Sequence, residues 1–275
     1  MSPKHAVVFD NPRAGNHDYG WRKAFAEGLR RRGWRVSLAA EGTPPACDLV
    51  VMWGARRRDL VKRAKAQGAE VCILERGYVK DRFTWSSVSF GGELNGRAEF
   101  RGPFDDISRW DSLEIRLTPW APLEIGQGHA LIIGQVPGDQ AVKHVDLHAW
   151  YRQVADALRK DGHRDIRFRP HPLAGRAHGL GQALGIPTIL GDRAIEDDLQ
   201  GAAVVVTFNS NAGVDAVIAG RRTIALDPGS MVWELSQQLI HGVYPARDAW
   251  CSKIAWCQYS RAEMESGFCQ EAVGL

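Results

Sequence analysis

The stretch Ala202–Leu226, AAVVVTFNSNAGVDAVIAGRRTIAL, reads as strand, tight turn, helix and strand in succession. Ala203–Val206 are apolar and rich in β-branched residues, which suits a strand buried on both faces. Thr207, Asn209, Ser210 and Asn211 then crowd a turn with short hydroxyls and amides. These residue types cap helices by accepting from the free N–H groups of the first turn. The helix is expected to run to about Ala219, with Gly220 at the C′ position, and Thr223–Leu226 form the next strand. Such a unit puts N–H groups, small side chains and the positive end of a helix dipole at the carboxyl edge of a sheet, where a phosphate binds well. A plainer reading stands beside it: Ser210 or Asn209 is an N-cap and nothing more.

The same alternation extends on both sides. Ala6–Phe9, Trp34–Leu38, Cys47–Met52 and Glu70–Leu74 read as strands, with helices over Tyr19–Arg32 and Asp59–Ala66 between them. From Glu75 to about Gly126 the chain is rich in Gly, Trp, Arg and Pro and reads as a long irregular segment ending in a linker. Ala130–Ile133 restart the pattern, followed by an amphipathic helix Leu147–Lys160, a strand Ile166–Phe168 and short elements at 181–184, 188–190 and 195–199. Trp233–Ala272 reads as helical. The expected fold class is α/β, with two doubly wound parallel-sheet lobes, 1–125 and 126–235, and a helical tail, 236–275, crossing back to the first.

A chain of 275 residues with 44% hydrophobic and 24% charged residues can bury one large core or two of ordinary size. No apolar run approaches the roughly 20 residues needed to span a bilayer. Met-Ser-Pro-Lys-His leads directly into a strand without signal-peptide shape. The five cysteines show no metal-ligand spacing, which fits reduced thiols in a cytoplasm. A net charge of +3, with arginines clustered at 30–32 and 56–58, permits phosphate-rich partners; a solvated helix face explains each cluster as well.

Polar, phosphate-compatible residues end successive strands of the second half: Gly134-Gln135, Arg169-Pro170-His171-Pro172 and Thr207–Asn211. Ligands of open α/β sheets bind outside the carboxyl ends of the strands, so these turns should face one crevice. Arg169 offers a donor fork suited to phosphate, and His171 is held between prolines; alternatively His171 is a packed structural residue. Neither a P-loop nor the Gly-x-Gly-x-x-Gly fingerprint is present, which argues against a nucleotide hydrolase or a dehydrogenase.

Gly134-Gln135 with Asp139, then Arg169–Pro172, then Thr207–Asn211 with Gly213 and Asp215, resembles the carboxyl-terminal half of the capsule-polysaccharide glycosyltransferases, which include bacterial Kdo transferases of the GT-B fold. The whole chain is also similar, more loosely, to compact phage-encoded glycosyltransferases associated with sugar modification of hydroxymethylated DNA bases. The resemblance implies that Gln135, Arg169, His171, Thr207, Ser210 and Asn211 hold the phosphates and ribose of a nucleotide-sugar donor, a UDP-sugar being expected. Glu196 or Asp197 would lie at the nucleotide edge, and Ser230, in Asp227–Ser230, near the donor sugar. Asp215 stands where the family often has Glu, and its shorter side chain reaches less far.

Sugar transfer also needs a base for the acceptor hydroxyl, expected from the first lobe. The candidates are Asp18, Glu75 and His17, in that order for the two carboxylates, with Asp10 behind them. Asp18 is alternatively an N-cap, and Glu75 with Arg76 a salt-bridged pair. No Asp-x-Asp motif sits at a plausible strand end, so a metal is expected to stimulate at most. For a duplex DNA acceptor with a 5-hydroxymethylated pyrimidine, Arg57, Arg58 and Arg76 would meet phosphates and Trp85 would stack on a flipped base. The setting would then be the bacterial cytoplasm. A capsule or surface glycan is the rival acceptor. Other readings are a nucleotide-sugar epimerase on the same fold and a non-catalytic nucleic-acid-binding module, which the strand-end motifs count against.

Overall fold

The structure is a computed structural model describing residues 3–9, 16–40, 42, 44–174, 180–189 and 193–275, without the side chains of 16–19, 180 and 182. In chain order its elements are β1 (His5–Phe9), α1 (Asn16–Arg31), β2 (Arg35–Ala39), β3 (Leu49–Trp53), α2 (Arg58–Ala66), β4 (Glu70–Arg76), β5 (Trp85–Phe90), α3 (Ser108–Ser112), β6 (His129–Ile133), α4 (Leu147–Lys160), β7 (Ile166–Arg169), α5 (Leu180–Ala183), α6 (Ile195–Leu199), β8 (Ala202–Thr207), α7 (Ala212–Ile218), β9 (Thr223–Ala225), α8 (Trp233–Ile240), α9 (Asp248–Trp256), β10 (Gln258–Ser260), α10 (Arg261–Ser266) and α11 (Phe268–Ala272). The chain divides into two compact units. One joins the chain up to Ile115 with Arg247–Leu275; the other is Arg116–Ala246.

The first unit carries a sheet of order β10-β5-β4-β3-β1-β2. The strands β1 to β4 are parallel, and β5 runs antiparallel to both β4 and β10. Side chains alternate between the faces, as a pleated strand requires. Ala6, Val8, Leu49, Val51 and Leu74 pack with Trp21, Phe25 and Leu29 of α1 and Met264 of α10. Val7, Val50, Met52 and Ile73 pack with Leu60 and Val61 of α2. The close approach of α1 to α10 requires Gly28, where a Cβ would stand 2.0 Å from the Met264 carbonyl.

The segment expected to be irregular is partly regular. WSSVSF forms β5, so Trp85 begins a strand instead of lying in a loop. Its serines hide the strand pattern, yet Ser86, Ser87 and Ser89 are buried. The Ser86 hydroxyl donates to the Ser87 carbonyl, and that of Ser89 reaches the Ile73 and Glu93 carbonyls, which offsets the cost of burying these two hydroxyls. Nor is the tail wholly helical. It contributes β10 to the sheet edge, clamped by Arg109, which pairs with Glu263 and donates to the carbonyls of Ala255 and Gln258. By contrast α8 stays with the second unit, where the Ser236 hydroxyl accepts from Ala225 N–H at 2.8 Å beside the edge strand β9.

The second unit carries a parallel sheet of order β7-β6-β8-β9, with Thr188 bridging to Phe168 outside β7. Ala130, Ile132, Phe168, Val204 and Val206 pack with Leu147, Trp150, Tyr151, Val154 and Leu158 of α4. Leu131, Ile133 and Val205 pack with Leu199 and Ala216 on the other face. The start of α4 is fixed by Asp146, whose carboxylate accepts from Ala149 N–H at 3.0 Å. In each sheet the strand order reverses beside the first strand, between β1 and β3 and between β6 and β8. Those switch points are where a doubly wound sheet opens a crevice at its carboxyl edge.

Candidate functional site

At the switch point of the second unit the turns after β6, β8 and β9 are tied together by side chains. Gln135 and Asn209 exchange hydrogen bonds: the Gln135 amide donates to Asn209 Oδ1 at 2.8 Å, and Asn209 N–H donates to Gln135 Oε1 at 3.1 Å. The Asn209 amide donates to Asp227 Oδ1 at 3.0 Å and to the Ala141 carbonyl at 3.2 Å. Asp227 also accepts from Gly229 N–H at 2.8 Å. Behind them the buried Tyr151 hydroxyl accepts from Gln135 N–H at 2.8 Å, and burial raises its pKa against the opposing effect of that bond. Asn209 and Asp227 are themselves buried. Asn209 and Tyr151 are central here but were not among the donor residues expected from the sequence. Asn209 reads there as a cap and Tyr151 as one more apolar position of an amphipathic helix.

Gly134 lets the ends of β6 and β7 come together. A Cβ there would stand 3.0 Å from the Arg169 carbonyl, Phe168 Cζ and Pro170 Cα. Arg169 pairs with the buried Asp198 and donates to the Arg193 carbonyl at 2.7 Å, while Arg193 lies 3.6 Å from the other Asp198 oxygen. Its fork is therefore already engaged within the unit. Burial lowers the pKa of Arg169, Glu196 opposes that effect, and Asp215 also acts on it. An arginine stays cationic regardless. His171 Nδ1 accepts from Leu173 N–H at 3.1 Å, which sets its neutral tautomer with the proton on Nε2.

The hydroxyls of the turn after β8 serve the backbone. Thr207 Oγ1 accepts from Ser210 N–H at 3.0 Å and Ser210 Oγ from Ala212 N–H at 3.3 Å. Asn211 is the N-cap residue of α7 and makes no side-chain capping bond. Thr207 and Ser230 are buried, and Ser230 Oγ accepts from Val232 N–H at 3.3 Å. Gln135, Arg169, His171, Ser210 and Asn211 thus gather at one edge of the sheet, with Thr207 and Ser230 turned into its scaffold.

In the first unit Glu75 lies at the carboxyl end of β4. Its Oε1 accepts from Arg76 N–H at 3.0 Å, and its Oε2 stands 3.3 Å from a Cβ placed on Gly54, after β3. His17 and Asp18 fall in the first turn of α1, which begins at Asn16, so Asp18 lies inside the helix and not at its cap. Their side chains, and all of Asp10, lie outside the described residues. Arg57 is paired bidentately with Asp59, holding that carboxyl at about 2. Arg58 donates to the Gly92 carbonyl and to Glu93, each at 2.6 Å. The guanidinium of Arg76 lies 4.1 Å from the centre of the Phe83 ring. Trp85 is half-buried, with the Arg109 guanidinium 5.8 Å from its ring. Among the described residues no cluster of His, Cys, Asp and Glu could hold a metal ion, and no helix is long and apolar enough to cross a membrane.

No protein-family model matches the chain, and no curated protein matches it. Among solved structures, the KpsC beta Kdo 2,4 transferase of Thermosulfurimonas dismutans aligns over 100% of this chain and 99% of its own, at 13% identity and a TM-score of 0.60. The KpsC beta Kdo 2,7 transferase of the same organism aligns over 98% and 99%, at 12% identity and a TM-score of 0.57. A putative UDP-N-acetylglucosamine 2-epimerase from Listeria monocytogenes reaches a TM-score of only 0.34, too low to bear on the fold. The likeness to the transferases is one of fold: the chain has a GT-B-like α/β architecture of two Rossmann-like lobes, as its sequence leads one to expect.

Proposed function

We propose that this chain is a glycosyltransferase that moves a sugar from a nucleotide-sugar donor to a hydroxyl acceptor. The observation that carries the reading is the gathering of Gln135, Asn209, Asp227, Arg169 and His171 at the carboxyl edge of the second sheet. The fold shared with two Kdo transferases supports it by analogy. In this reading the second unit holds the donor, a UDP-sugar, through Gln135, Arg169, His171, Ser210 and Asn211, with Asn209 and Asp227 fixing the turns. The acceptor oxygen bonds to the anomeric carbon as that carbon's bond to the donor phosphate breaks. The hydroxyl proton passes to a carboxylate of the first unit, Glu75 or Asp18. Arg169 and turn N–H groups stabilise the leaving phosphate without a required metal.

The acceptor in this reading is a 5-hydroxymethylated pyrimidine in DNA, supported by the exposed Phe83 with Arg76 on its ring and by the exposed Lys80 of the first unit. The second reading, assembly of a surface polysaccharide, is favoured by one observation: two solved structures that share the fold along nearly the whole chain are Kdo transferases. Incubation with a panel of nucleotide sugars, and with hydroxymethylcytosine DNA or anionic oligosaccharides, separates the two by mass spectrometry. Sugar on the nucleoside supports the first and sugar on the glycan the second. Consumption of no donor, with no nucleotide bound in calorimetry, refutes both.

A further inference from the structure

The loop joining β4 to β5 is rigidly built and presents an aromatic ring. Its base is held by the buried Gln258, whose Oε1 accepts from Tyr78 N–H at 2.7 Å and from Val79 N–H at 3.1 Å. Gly77 is needed there, because a Cβ would stand 2.7 Å from Trp85 Cβ. At the tip, Asp81 accepts from Phe83 N–H at 3.0 Å and its carbonyl from Thr84 N–H at 2.9 Å. Lys80 is held at φ 60°, a conformation that non-glycine residues adopt rarely and at a cost. The outcome is a Phe83 that is 62% exposed, with the Arg76 guanidinium on its ring and Lys80 exposed in the same loop. The loop leaves β4 at the carboxyl edge of the sheet, after Glu75 and Arg76, the last two residues of the strand.

We propose that this loop is the acceptor-docking element and that Phe83 stacks on a base of a polynucleotide. The proposal rests on the sugar-transfer reading and deepens it, moving the stacking role from Trp85 to Phe83. The cation on the ring favours a nucleobase over a sugar. Sugar C–H groups bind the negative face of an aromatic ring, and a guanidinium draws that density away. A base stacks face to face and tolerates it, and its strand brings phosphates for the exposed Lys80. Arg57 and Arg58, expected to meet those phosphates, are instead paired with Asp59 and Glu93.

The test is the anisotropy of a labelled DNA duplex carrying 5-hydroxymethylcytosine, and of its single strand, across a salt series. Circular dichroism checks folding, and calorimetry measures nucleoside diphosphate binding. Phe83→Ala should weaken DNA binding about 10-fold or more, and Phe83→Tyr should stay within about threefold of wild type. Lys80→Gln should lower the salt slope by about 0.7–0.9. Nucleotide affinity should not change in any of these variants. The proposal is overturned if wild type shows no salt-dependent DNA affinity, if Phe83→Ala binds DNA as wild type does, or if an anionic oligosaccharide is bound through Phe83 in place of DNA. Phe83-dependent DNA binding without nucleotide or donor binding would support the loop assignment and sink the sugar-transfer reading alone.

Discussion

Removing the Asn209 side chain should unpin the switch point of the second unit. Asn209→Ala deletes the bonds to Gln135 Nε2, to Asp227 Oδ1 and to the Ala141 carbonyl. Each such bond contributes about 1 kcal/mol net, and a buried partner left unsatisfied costs about 1–3 kcal/mol. The partners differ in how well they recover. Gln135 is half-buried and can turn to water, and Asp227 keeps Gly229 N–H. The expected loss is therefore about 2–4 kcal/mol, below the sum of the worst cases. Gln135→Ala should cost less, about 1–2 kcal/mol, because it strands the buried Asn209 oxygen and N–H but leaves the bond to Asp227. The two changes should not add, with a coupling of about 1–2 kcal/mol between them. Urea unfolding of wild type, both single variants and the double variant, followed by far-ultraviolet circular dichroism, measures that cycle. Asn209→Asp sharpens it. A carboxylate facing Asp227 repels it, so this variant should lose stability as pH rises through the carboxylate range. A cycle coupling under about 0.5 kcal/mol, or an Asn209→Asp variant insensitive to pH, would refute the idea that one amide ties the three turns.

Gly134→Ala should cost about 1–3 kcal/mol by pressing a methyl group onto the Arg169 carbonyl, Phe168 and Pro170, read as a fall in the thermal midpoint. Burial pushes the Glu263 carboxyl up, but the hydrogen bond and charge of Arg109 outweigh it and hold its pKa below the usual value. The stability it contributes is thus present above the unfolded carboxylate range, near pH 4.3, and is lost as pH falls through the lower folded value. The gap between wild type and Glu263→Gln should accordingly shrink on acidification below about pH 4 in unfolding titrations. Of the five free cysteines only Cys47 is not buried, and burial raises Cys251 to about 12. A thiol reagent should therefore titrate at most Cys47 in the native protein and all five in denaturant; rapid native reaction of a second thiol would contradict the packing around Cys72, Cys257 and Cys269.

The fold was legible where side chains repeat with one period. Leu147–Lys160 and Ile195–Leu199 begin and end where the sequence places them, since an apolar stripe, in α4 with Asp146 before it, marks their bounds. Legibility fails where polar residues are buried by long-range partners. In β5 Ser86 and Ser89 satisfy their hydroxyls on backbone carbonyls, so they read as loop residues while lying in the sheet core. The short strand β10 exists because Gln258, Tyr259 and Ser260 pair with Ser87, Ser86 and Trp85, a partnership between positions far apart in sequence. Neither local propensity nor periodicity carries that information.

The candidate site shows the same division at the level of single atoms. Its location was legible, because Gly-Gln, Arg-Pro-His-Pro and Thr–Asn are turn chemistry at strand ends, and strand order fixes which turns meet. The division of labour within it was not. From sequence, Thr207, Ser210 and Arg169 look equally suited to a phosphate. In the structure Thr207 Oγ1 already accepts from Ser210 N–H, and Arg169 is engaged by Asp198. An arginine paired with a buried carboxylate holds a fixed direction, and removing it leaves Asp198 only Arg193, at 3.6 Å, for less than the roughly 3–5 kcal/mol that a wholly unpaired buried carboxylate costs. Arg169→Ala therefore confounds anchoring with ligand contact, because it disturbs Asp198 whether or not a phosphate ever binds. Arg169→Lys, which keeps a charge but loses the fork, compared with Asp198→Asn, which keeps the shape but loses the partner charge, separates the two roles. If phosphate contact is the main role, Arg169→Lys should weaken nucleotide binding more than Asp198→Asn does, while the two lower stability comparably.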